Sequence, residues 1–141
     1  DLYRLTQDLG ISEKVTFTGQ VDYRIVPAYL KLADIAISYI PINDIYDIQP
    51  PLKTLEYLAA GLPVVATATL ANRIFIRDGY NGVLVEDSVE NLSDGIERLL
   101  NDETLQKRLA VHARQFVEHL DWAKIVKDFL IPAYDEILQK E

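Results

Sequence analysis

Lys53 and Glu56 are the residues whose types and spacing most readily do chemistry. Three positions apart in a helical stretch, an ammonium and a carboxylate share one face. The segment that holds them, Pro50 to Thr67, reads PPLKTLEYLAAGLPVVAT. Pro51 suits the first helical position, where its missing N–H costs nothing. Leu52, Leu55, Leu58 and Ala59 then recur at helical spacing, on a face that excludes Lys53 and Glu56. Gly61 fits a left-handed cap, Pro63 forbids any continuation, and Val64-Val65-Ala66 follows as a buried strand. A positive helix N-terminus, a cation and a carboxylate close together suit a phosphate that carries a hydroxylated group.

The other reactive side chains offer less. Asp44 and Asp47 lie among turn formers and read as loop acids rather than a metal pair. His112 and His119 sit on a charged helix with no ligand cluster near them in sequence and read as solvated. Tyr39, Tyr46 and Tyr57 could stack on a base or a sugar, or simply pack. Asp78-Gly79 and Asn81-Gly82 are turn chemistry. No Ser/His/Asp set, P-loop or GxGxxG supplies a rival mechanism.

Composition narrows the function classes. The net charge of −8 argues against sequence-independent nucleic-acid binding and against an anionic membrane partner. With no cysteine there is no disulfide, thiolate catalysis or cysteine-ligated zinc, and the redox compartment stays undecided. No apolar run reaches the roughly 20 residues of a membrane span, and no signal peptide opens the chain, so a cytoplasmic location is expected. The chain has no Met and begins on helical spacing without an entering strand. It reads as starting inside a domain, as a fragment or an engineered excision.

The elements that must position Lys53 and Glu56 alternate along the chain. A first helix ends at Gly10, and Val15-Thr16-Phe17-Thr18 reads as a strand closed by Gly19. Ile25 to Leu32 is helical with Pro27 in its first turn, and Asp34 to Ile40 reads as a strand covered on both faces. Asn43 to Gln49 is a loop leading into the central helix. After the Val64 strand come a short irregular or helical piece, Asn72 to Arg77, and a last strand Val83-Leu84-Val85. Val89 to Leu100 is amphipathic through Leu92, Ile96, Leu99 and Leu100. A helix from Asp102 to His119 buries Leu105, Leu109, Ala113, Phe116 and Leu120. Asp121 caps a final helix whose apolar face includes Trp122, Ile125, Phe129, Ile137 and Leu138, and which Pro132 should kink or break near Asp128. Strands separated by helices of this length predict an α/β fold with a parallel sheet and helices on both faces, a three-layer architecture followed by C-terminal helices. Residues 1–141 are expected to form a single α/β domain.

These residues resemble a known family. Val15-Thr16-Phe17-Thr18-Gly19, Ala33-Asp34-Ile35-Ala36-Ile37, the run Leu52 to Gly61, Pro63-Val64-Val65-Ala66-Thr67 and the run Asp78 to Val85 together look like the C-terminal half of a GT-B-fold glycosyltransferase. The closest resemblance is to the retaining family 4, which moves a sugar from a nucleotide-sugar donor. It implies a Rossmann-like, incomplete GT-B C-terminal domain that binds donor. It further implies that the acceptor domain is absent, that the isolated chain is inactive, and that no cofactor is needed beyond the nucleoside diphosphate sugar itself. In a longer parent, membrane-peripheral placement is compatible with this family.

Residue by residue, Glu56 resembles the carboxylate that holds the donor ribose hydroxyls. Pro51, Leu52 and Lys53 fall where the family's helix N-terminus meets the donor phosphates or sugar. Gly19, Val21 and Asp22 correspond to the loop beside the nucleobase. There are departures: Ile48 stands where many members carry an earlier glutamate, and Leu70-Ala71 and Ile74 replace a glycine pair and a later glutamate. A subgroup with proline-x-Lys before its Glu is more similar. Two strands of the family's sheet are missing, and they lie between the first two strands expected here. The chain must leave a gap, pair those strands directly or borrow strands from another copy, which invites self-association. The alternatives are a non-catalytic α/β module or excised folding fragment and, among enzymes, a GT-B-fold nucleotide-sugar epimerase.

Overall fold

A computed structural model describes residues 1–138, so the expected domain end at 141 lies outside the described residues. Among them, three parallel strands form the sheet, β1 (Ala36–Ser38), β2 (Val64–Thr67) and β3 (Val83–Val85), in the order β1-β2-β3. Ile37 lies opposite Val65 in the first ladder, and Ala66 opposite Leu84 in the second. The α-helical segments of the described residues are α1 (Leu2–Asp8), α2 (Val26–Leu30), α3 (Leu52–Ala59), α4 (Leu70–Phe75), α5 (Val89–Leu100), α6 (Glu103–Val117), α7 (Trp122–Ile125) and α8 (Ile131–Leu138).

Every residue of β2 is buried, as its unbroken Val-Val-Ala-Thr run requires of a strand covered on both faces. Alternation then divides the core. Val64 and Ala66 point to one face, with Leu58 of α3, Ile76, and Ala113 and Val117 of α6. Val65 points to the other, with Val83, Leu99 of α5, and Leu105 and Leu109 of α6. The long α6 therefore serves both faces, while α3 and α5 cover opposite ones. This is the expected α/β arrangement.

Several expectations need correction. Residues 15–18 join no strand; Val15 is extended, but among the described residues no neighbouring strand accepts its ladder bonds. Phe17 is held instead by Tyr3 of α1, with ring centroids 4.1 Å apart. Residues 15–18 and β1 therefore do not pair directly. For the same reason β1 is shorter than Asp34 to Ile40 and is not covered on both faces, since Ile37 is 43% exposed. Leu100 is exposed and Phe116 and Leu120 are only partly buried, whereas Val117 joins Leu105, Leu109 and Ala113 inside.

Pro132 does not break the last helix. It cannot donate to the carbonyl four residues back, at Asp128. The backbone takes up that defect as a π turn, Val126–Leu130, between α7 and α8. The apolar face drawn for this helix is largely unpartnered: Trp122, Phe129, Ile137 and Leu138 are all exposed.

Candidate functional site

The central helix begins one residue later than its sequence suggests. Pro51 is the N-cap, at φ −87° and ψ 74°, and Leu52 is the first helical residue. Proline has no side-chain acceptor, so α3 starts without the capping bond that Thr69 gives α4 and Ser88 gives α5. Gly61 has φ +72° as expected and turns the chain into Pro63 and β2.

The buried face of α3 is not the leucine face. Pro51, Thr54 and Leu58 point inward, whereas Leu52 is 68% exposed. A polar network explains Thr54. Ser38, at the end of β1, lies 2.6 Å from the Thr54 hydroxyl, which donates to Asn72 Oδ1 at 2.8 Å. The Asn72 amide then donates to the Thr67 carbonyl at 2.8 Å, and the Thr67 hydroxyl bonds the Ile40 backbone, donating to its C=O at 2.6 Å. Ser38, Thr54, Thr67 and Asn72 are fully buried, and among the described residues no buried side-chain polar atom lacks a partner. The network fastens the start of α3 and of α4 to the C-terminal ends of β1 and β2. That edge is where an open parallel sheet forms its ligand crevice.

Two cavities flank α3. One, of about 400 Å³, opens at its N-terminus and is lined by Tyr39, Tyr46, Gln49, Pro51, Leu52 and Lys53. The Lys53 ammonium donates to the Tyr39 carbonyl at 2.5 Å, which brings the cation to the end of β1. The other, of about 360 Å³, lies between α2 and α3 and is lined by Tyr23, Val26, Leu30, Lys31, Glu56 and Arg114. A wider groove continues from it past Glu56 to Trp122.

Pro51, Leu52 and Lys53 thus meet in one cavity, while Glu56 belongs to the next, one helical turn further on. Gly19, Val21 and Asp22 line neither. The loop instead presents Tyr23 beside Glu56. Gly19 is required by its backbone, φ +62°, with open space where a Cβ would stand. Asp22 is engaged locally: it caps the turn Tyr23–Ile25 and pairs with the Arg24 guanidinium at 2.5 Å, which holds its carboxyl below the usual range.

Tyr23, Arg114 and the buried network were not foreseen from the sequence. Only the network left a signal there, a lone Ser in the β1 run and a Thr interrupting a helix face. Of the three tyrosines, Tyr39 and Tyr46 reach the cavity at the N-terminus of α3. Tyr57 is half-buried against the core, and burial followed by the nearby Glu56 charge raises its phenol pKa. His112 is not free in solvent; it stacks on Tyr80 with ring centroids 4.1 Å apart. Among the described residues no cluster could hold a metal ion, and no helix is long and apolar enough to cross a membrane.

The family described as "Glycosyl transferases group 1" matches residues 1–116. The chain is 34% identical over 112 residues to the lipopolysaccharide core biosynthesis glycosyltransferase LpsE of Rhizobium meliloti, covering 78% of this chain and 31% of that protein. It is 33% identical over 141 residues to the D-inositol 3-phosphate glycosyltransferase of Mycolicibacterium smegmatis, covering 97% of this chain and 30% of that one. It therefore spans about a third of the length of these relatives. Among solved structures it is similar to sucrose-phosphate synthase from Thermosynechococcus elongatus, with TM-score 0.80, 24% identity, and coverage of 99% of this chain and 34% of that one. It also resembles HepE of Anabaena in complex with UDP-glucose, with TM-score 0.78, 19% identity, and coverage of 95% and 36%. Both likenesses concern the fold, which is GT-B.

Proposed function

The chain belongs to the group 1 glycosyltransferase family, and from that premise we propose that it is the donor-binding part of an enzyme that transfers a sugar from a nucleoside diphosphate sugar. One observation carries the reading: the N-terminus of α3 has no side-chain cap and opens into a cavity with Lys53, and Glu56 lines the adjoining cavity one turn away. The first cavity suits a diphosphate, through the helix dipole and an ammonium. The second offers a carboxylate able to accept hydrogen bonds from two ribose hydroxyls. HepE, which shares the fold, was solved in complex with UDP-glucose.

In the reaction so proposed, the bond between the anomeric carbon and the diphosphate oxygen breaks, an acceptor hydroxyl oxygen bonds to that carbon, and the hydroxyl proton leaves with the diphosphate. Negative charge grows on the departing diphosphate. The end of α3 and Lys53 stabilise that charge more in the transition state than in the bound donor, which is what lowers the barrier. Glu56, with Tyr23 presented beside it by the loop that follows Gly19, fixes the nucleoside end. The family resemblance implies retention at the anomeric carbon, and a separate domain supplies the acceptor.

The ribose assignment has a direct test. A charge-assisted hydrogen bond is worth about 1.5–3 kcal/mol, so removing the 2′ and 3′ hydroxyls should weaken binding about tenfold to a hundredfold. Calorimetry with the best-bound of UDP, GDP and ADP and with its 2′,3′-dideoxy analogue should give that difference in the native chain. Glu56→Ala should bind the two alike. Equal discrimination by both proteins would remove Glu56 from the ribose site.

A further inference from the structure

We propose that Asp47, assisted by Asp87, is a positioning residue that holds the segment 42–49 in place as the outer wall of the cavity at the N-terminus of α3. The inference rests on the donor-site reading above, because the wall it fixes is that of the proposed diphosphate cavity. Nothing in the amino-acid pattern of this segment would order it: it has turn formers, no sustained period and an exposed surface. Yet Tyr46 and Gln49 line the cavity, so their positions set its shape.

Both ends of the wall are held by carboxylates. At the far end, Asp47 Oδ1 accepts the Leu70 N–H at 2.8 Å, and the Asp47 carbonyl accepts the Ala71 N–H at 2.9 Å. At the near end, Asp87 Oδ2 accepts the Ile42 N–H at 2.8 Å, and the same carboxylate takes the Tyr39 phenol, which raises the Tyr39 pKa. Between them Asn43 Oδ1 closes a local turn on the N–H groups of Ile45 and Tyr46, both at 3.0 Å. Asp47 is not needed to cap α4, since Thr69 already accepts from Asn72 N at 3.0 Å. What its two bonds add is a tie between the cavity wall and the segment that follows β2. Ile48, between Tyr46 and Gln49, is 70% exposed and does not line the cavity, so the wall's contribution is made by those two residues.

The test is a nucleoside diphosphate titration, with UDP, GDP and ADP as probes in turn, on the native chain, Asp47→Ala and Asp47→Asn, together with amide hydrogen exchange of each free protein. Losing one hydrogen bond and the order of a short loop should weaken the best probe about tenfold in Asp47→Ala. Exchange should rise at Tyr46 to Gln49 and Leu70 and nowhere in the core strands. Asparagine keeps an acceptor oxygen, so Asp47→Asn should bind within about twofold of native. Native binding with an unchanged Asp47→Ala would overturn the proposal and leave the donor site standing. So would a fall in affinity while the loop stays protected. No saturable binding by the native chain would overturn the donor-site reading and this proposal with it.

Discussion

Replacing Asn72 by alanine is expected to destabilise the fold by about 3 kcal/mol, the sum of one orphaned buried donor and one lost hydrogen bond. Asn72 is fully buried, and its side chain joins Thr54 on α3 to the Thr67 carbonyl on β2. In Asn72→Ala the Thr54 hydroxyl loses the acceptor it donates to. The Thr67 carbonyl is not orphaned, because it still accepts the Thr69 N–H at 2.8 Å. In a protein of this size the loss should lower the melting temperature by about 10 °C. Thr54→Val should be milder, and the double variant should cost less than the sum of the two, because both break the same network. Additive effects would show that Thr54 and Asn72 act separately. Denaturant unfolding of the four proteins decides.

Gly95→Leu should be comparably damaging, by about 3 kcal/mol, for a steric reason. A Cβ at this position of α5 would lie 2.8 Å from Val85 Cγ1 and 2.9 Å from Val65 Cγ1. The helix thus rests directly on β2 and β3, and a side chain must push it away. Helix propensity works in the opposite direction, favouring leucine or alanine over glycine by about 1 kcal/mol. Gly95→Ala should also destabilise, though less than leucine, because the contacted methyls belong to valines that are stiff at χ1, Val65 being fully buried. For leucine, with three more carbons and nowhere to place them, overpacking wins. A leucine variant as stable as the native chain would mean that α5 can ride off the sheet without loss.

What the residue pattern foretold was whatever local chemistry alone determines. The Gly61 turn follows from a left-handed φ, β2 from an uninterrupted apolar run, and α5 from the amphipathic period of Val89 to Leu100. What it did not foretell depends on neighbours. Residues 15–18 have the alternation of a strand but nothing beside them to complete a ladder. Ile37 belongs to a run that resembled a buried strand, yet it is exposed because β1 is the edge of this sheet.

The site divided in the same way. Pro51, Leu52 and Lys53 were found as a group because a helix start is written in adjacent residues. Glu56 and Lys53 share a helix but not a cavity, since side chains three apart can lean to different sides of the stripe between them. Thr54 was hidden for a different reason. Periodicity counts a threonine as polar, whereas here its hydroxyl is satisfied within the core and its methyl is packed there.

Whether α3 and its flanking cavities hold a nucleotide-sugar donor is decided by protein-observed NMR of the native chain, titrated with UDP, GDP and ADP and repeated on Glu56→Ala. Donor binding there predicts saturable shifts for one of the three, concentrated at Leu52 to Glu56 and in the loop from Gly19 to Tyr23, and weakened at least about tenfold in the variant. No saturable shift up to millimolar nucleotide on a folded sample, or shifts confined to surfaces away from α3, would contradict it.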